Sequence, residues 1–153
     1  MILNTTPLAE VDISRKVLAD GMYAARCSAE CKPNKAGTGQ VVHITLLMLA
    51  AELDTRDGET FENKGFSLRT FISLEAKENY NPNESLKRWS IALGLGEDQD
   101  IQLEDFQGVD VAVQVAYKAE STGADGKVYG EGNDIKGQFP LADQPDLDTT
   151  GAI

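Results

Sequence analysis

The chain has 153 residues, 41% hydrophobic and 25% charged, with 25 acidic side chains against 14 basic ones and a formal net charge of -11. That length suits one domain whose core needs no covalent staples. The charge argues against a body held to nucleic acid by bulk attraction, and the longest apolar run, Ile44–Ala51, is strand-sized and well short of the ~18 residues of a membrane span.

Residues 1–20 show little periodicity and read as an N-terminal arm or a short helix. They lack the basic start and apolar block of a secretory signal, so a cytoplasmic protein with no membrane association is expected. Asp20-Gly21 marks a turn. "MYAARCSAE" then alternates, with Tyr23, Ala25, Cys27 and Ala29 on one face and Arg26 on the other, which is a strand pattern. Cys27 and Cys31 would share a face of that strand about 13 Å apart at ~3.3 Å per residue, too far for a disulfide. Two cysteines spaced C-x3-C and the single histidine, His43, make no zinc set. Free, mostly buried thiols are expected.

"KPNKAGTGQ" (Lys32–Gln40) follows as a loop. A nucleotide-hydrolysing P-loop needs its lysine directly after the last glycine and a helix behind it. Here Lys35 precedes Gly37 and Gly39 and a strand follows, so that chemistry is excluded. The segment reads as the mobile tip of a hairpin. Lys32 and Lys35 supply charge, and Gly37 and Gly39 allow a ligand to approach the backbone. A plain solvated turn is the alternative.

"QVVHITLLMLAAEL" reads as one long strand, with His43 and Thr45 on its more polar face. A turn-rich connection leads to "FSLRTFISL", a third strand that sets Arg69 and Phe71 opposite Phe66, Leu68, Ile72 and Leu74. "NPNESLKRWSIALGLG" is a helix: Asn81 can cap it, Pro82 fits its first position, and Glu84 stands three residues after the cap. Leu86, Trp89 and Leu93 share its apolar face, so Trp89 reads as core, and Gly94 or Gly96 can end it. "GVDVAVQVAYKAE" alternates most cleanly of all, with small residues and then Lys118 on its polar face. Asp125-Gly126 signals a hairpin. "VYGEGNDIKGQFP", carrying Lys136, reads as one final strand or a pair of short ones, and an acidic, disordered tail spans residues 141–153.

Three strands, one helix and two further strands, each with one wet face, point to antiparallel pairing. The order is that of a five-stranded barrel like the oligonucleotide-binding (OB) fold, with its helix between strands three and four. The expected organisation is an arm at 1–20, an OB-like domain at 21–140 and a tail at 141–153.

No G-x-S-x-G or H-E-x-x-H occurs, and the acidic stretches do not follow calcium-loop spacing. No catalytic site, metal or cofactor is expected. Binding of a single nucleic-acid strand needs cations along a groove and aromatic rings under the bases. Arg26, Lys32, Lys35, Arg69, Lys118 and Lys136 are the phosphate candidates. Phe71, Tyr80 and Tyr129 are the stacking candidates, and His43 extends the same face. The alternative for Phe71 is packing beneath the arm or in a contact between two copies, which would make a homodimer.

A strand opening "GMY", the turn "NKAGTG", the helix "NYNPNESLKRWSIALGL", then "FQGVDVAVQV" and "GNDIKGQFP" together resemble a family of small phage proteins encoded among replication and recombination genes. The likeness spans about Gly21 to Pro140. Lys35, Gly37 and Gly39, then Gly108, then Asn133, Ile135 and Phe139 carry it best. The connection Asp54–Gly65 is longer and more acidic than the family pattern. The resemblance implies an OB-fold protein that binds single-stranded DNA without sequence preference in an infected bacterial host. It also implies that Asp143, Asp146, Asp148 and Ile153 belong to a flexible segment that recruits replication or recombination proteins. The rival expectation is an acidic protein–protein adaptor or virion component that binds no DNA.

Overall fold

Alternating apolar and polar side chains set the long strands. In the computed structural model, which describes residues 1–10, 16–96 and 98–151, β1 (Gly21–Pro33) and β2 (Gln40–Met48) form an antiparallel hairpin. β2 stops at Met48 instead of running on to Leu53. The reason is Asn63, whose amide donates to the carbonyls of Met48 and Ala50, both at 2.7 Å, and whose carbonyl accepts from the Phe66 amide. Beyond that corner β3 (Glu52–Asp54) and β4 (Thr60–Glu62) make a small hairpin of their own. β5 (Ser67–Ser73) then pairs with β2. Next come α1 (Pro82–Ala92) and β6 (Asp110–Lys118), the short hairpin of β7 (Ser121–Thr122) and β8 (Val128–Tyr129), and β9 (Gly132–Pro140).

The main sheet has five antiparallel strands in the order β5-β2-β1-β6-β9. β1 is its hub. Gly21–Arg26 pairs with β6, and Ala25–Pro33 pairs with β2. The expected barrel is an open sheet in its hydrogen bonding: no ladder joins the outer strands β5 and β9, although their Cα atoms come within 8 Å. Each neighbouring pair is antiparallel, so β5 and β9 run in the same direction. α1 packs against both of them.

The concave interior is apolar. Ala25, Cys27, Ile44, Leu46, Val111, Val113 and Val115 are buried there at 1% exposure or less. Trp89 and Ala92 of α1, and Leu93 just after it, belong to the same core as Phe106, and the rings of Trp89 and Phe106 stand 5.5 Å apart. The helix begins as its residues dictate. Asn81 Oδ1 accepts from the Asn83 amide at 2.9 Å, and Pro82 takes the first position, where no amide hydrogen is needed. Among the described residues no helix is long and apolar enough to cross a membrane.

Three segments outside the long strands are tied down. Leu18 of the arm is fully buried, and its amide and carbonyl bond the side chain of Asn133. The tail folds back through residue 151: the Ala51 amide donates to Asp148 at 3.1 Å and the Gly151 amide to the Leu49 carbonyl at 2.8 Å. The third is the loop at residues 34–39, which the end of β5 braces. Both cysteines are free, but only Cys27 is buried; Cys31 lies beyond the core's edge and is exposed.

Candidate nucleic-acid interface

Register brings the outward side chains of β1, β2 and β5 into rows. Glu30 lies beside His43 and His43 beside Phe71; Ser28 lies beside Thr45 and Thr45 beside Arg69. This is the face opposite the apolar interior, as the period of two requires. Phe71 is 70% exposed on it, with the His43 ring 6.4 Å away and tilted by 41°. Arg69 and His43 are exposed as well. The face has one acid at its margin. Lys32 binds Glu30 at 2.8 Å and, with lesser help from His43 and Arg69, holds its carboxyl below the usual range.

The loop at residues 34–39 borders this face, and it is braced where a mobile tip was expected. Glu75, just past the end of β5, accepts from Asn34 Nδ2 and from Thr38 Oγ1, each at 2.9 Å. Asn34 Oδ1 also accepts from the Thr38 amide. Gly37 turns the chain at φ 71°. A Cβ on Gly39 would stand 3.0 Å from the Glu75 Cβ, so the missing side chain there makes room for the brace. Lys35 remains exposed at the tip.

The remaining sequence candidates scatter. Arg26 is engaged in a two-pronged pair with Asp110, at 2.8 and 3.3 Å. Tyr80 is half-buried and not a free loop aromatic, because its hydroxyl donates to the Ser73 carbonyl at 2.7 Å. Tyr129 is 46% exposed on the β7–β8 hairpin, with Lys127 Nζ 5.5 Å from its ring centre. Lys118 is exposed at the end of β6, away from the Phe71 row. Asp143 and Asp146 are exposed, Asp148 is held by Ala51 and Thr150, and Ile153 falls outside the described residues.

Sequence reasoning missed a groove. Between the edges of β5 and β9, roofed by α1, runs a cleft of about 490 Å³. Phe71 and Phe139 stand on its two strand edges, Arg88 and Ile91 come from the helix, and Lys136 comes from β9. Trp89, buried to 3% and packed as expected, also contributes to its wall. Lys136 is the extra residue of a bulge: Gln114 pairs with Gly137 and Val115 with Ile135, which leaves Lys136 without an opposite number. Toward the start of the same strands a second cavity of about 450 Å³ is lined by Lys16, Arg69 and Asn133 among others. Arg88 carried a weak signal, being polar on a helix whose other face is apolar. Nothing local marks Phe139 as a groove residue. Among the described residues no cluster of three His, Cys, Asp or Glu side chains converges on a metal-sized site.

No protein-family model matches the chain, and no curated protein matches it.

Proposed function

We propose that the protein binds single-stranded DNA without sequence preference, through the outward face of β1, β2 and β5. It does so by stacking and phosphate contacts, and with no catalytic step. The observation that carries this reading is Phe71, a large ring left 70% exposed between a histidine on the neighbouring strand and an arginine two residues before it. Exposed rings with a cation close by are how strand-binding surfaces take bases of any identity. The strand order β5-β2-β1-β6-β9 supports it: it is the order of an OB-like barrel whose seam falls between β5 and β9, and such barrels are partly open. The setting, protection of DNA during phage replication or recombination, rests on the motif resemblance alone. Recruitment of replication proteins by the tail would fall to Asp143 and Asp146, since Asp148 is occupied at the Ala51 corner.

A gel-shift titration with labelled oligonucleotides at low salt tests the reading. A single strand should be retarded, and the log–log salt slope should be about -0.7 for each phosphate neutralised. Absence of any shift at tens of micromolar protein would sink it in favour of an acidic adaptor.

A further inference from the structure

The cleft between β5, α1 and β9 is an exception to the charge of the molecule. The chain carries 25 acids against 14 bases, yet among the described residues the lining of this cleft includes Arg88 and Lys136 and no carboxylate. Among the described residues the adjoining cavity is lined by Lys16 and Arg69 and no acid, although Lys16 also borders a pocket with Asp57, Glu59 and Glu131. Asp134 reaches Lys136 from outside the lining, at 3.7 Å, with both side chains well exposed, and such a pair is weak. The ring of Phe139, 41% exposed, lies over Gly137, where a Cβ would come within 3.1 Å of it. Two of its ring atoms thus lie against β9, and Phe139 also lines the cleft. Phe71 belongs both to the outward row with His43 and to the rim of the cleft.

From this geometry we infer that a DNA strand laid across β1, β2 and β5 turns over Phe71 and continues into the groove between β5, α1 and β9. There Phe139 stacks a further base, and Arg88 and Lys136 hold the phosphates on either side of it. The inference rests on the function proposed above and extends its binding site. About 490 Å³ lies within the ordinary range for a small-ligand site, which suits one nucleotide unit. A peptide adding a strand here would need a regular edge, and β9 presents a bulge at Lys136 instead.

Trp89 is the chain's single tryptophan and forms part of the cleft wall, so its emission reports on occupancy. The experiment titrates the full chain with an oligonucleotide of about ten thymidines, a length within the site size of one such domain. Affinity and Trp89 emission are followed together. Binding should quench or shift the emission. Phe139→Ala should weaken affinity about 5- to 100-fold. Arg88→Glu should weaken it and flatten the salt slope by about 0.7 for each phosphate no longer neutralised. His43→Ala, on the outward face only, serves as the comparison. If it weakens binding while both groove variants bind like wild type and Trp89 emission stays fixed, the groove is overturned and the outward face stands. If the wild type binds no DNA, both are overturned. Both groove substitutions lie at solvent-exposed positions, and an unchanged thermal midpoint for each separates weakened binding from a damaged fold.

Discussion

At Phe71, exposure lets stability and the proposed DNA binding be separated by a single substitution. At 70% exposure its ring contributes little to the folded state, so Phe71→Ala should change stability by less than about 0.5 kcal/mol. The same substitution should cost about 1 to 3 kcal/mol of DNA affinity. Urea midpoints and gel-shift affinities measured on one preparation check both numbers. The two thiols make a second contrast. Burial, with a smaller push from Asp110, drives Cys27 up to about 12, while Cys31 is exposed. A thiol-specific reagent at neutral pH should therefore titrate one group in the native protein and two in denaturant. Asp148 makes a third. Hydrogen bonds from Thr150 and Ala51 hold its carboxyl below the usual range. A lowered folded value means that the stabilisation from this tail anchor is fully present above the unfolded value of about 3.9 and disappears as pH falls through the lowered one. Protection of the Gly151 amide from exchange should persist through mild acid and vanish only below that range.

At the scale of elements, local rules worked wherever a strand or cap is decided by its own residues. The period of two set Phe71 and Arg69 outward and Leu68 and Ile72 inward, and Asn81-Pro82 opened the helix where its chemistry requires. The rules failed where distant partners decide. The loop at 34–39 looked mobile because it is rich in glycine and lysine, but Glu75, 41 residues beyond Asn34, ties it to the end of β5. Glu75→Ala should free it, at a cost of about 1 kcal/mol in urea unfolding and with faster exchange at the Thr38 amide. The sheet amides should be untouched. Unchanged exchange at Thr38 would mean that the brace holds nothing. The tail was misread for a related reason. Its acids favour solvent, but Asp148 finds the Ala51 amide at a corner that Asn63 creates. The groove was illegible because β5, α1 and β9 meet only in three dimensions; Gly137 marks a break in β9 beside the bulge, but not that the bulge sets Lys136 into a cleft.

For the molecule as a whole, an acidic body and a groove lined by no carboxylate among the described residues set opposing electrostatic demands. The net charge of -11 should repel duplex DNA approaching at random, while on the proposed function the groove and the Phe71 row would admit one strand whose bases are free to stack. Salt should therefore weaken binding of single strands more steeply than it changes any residual duplex binding, and parallel titrations at two salt concentrations would show it.

The position of β1 has a consequence in time. Its first four residues, Gly21–Ala24, have no ladder partner until β6 arrives, and the Arg26–Asp110 pair already spans 84 positions. The hairpin of β1 and β2 and its extension by β5 can assemble early, from neighbours in the chain. The interior cannot close until Val111, Val113 and Val115 are delivered from far downstream. Topologies dominated by such distant pairings fold in milliseconds to seconds rather than microseconds. During synthesis the emerging chain would hold a half-built sheet, with Ala25 and Cys27 still uncovered, until β6 had left the ribosome.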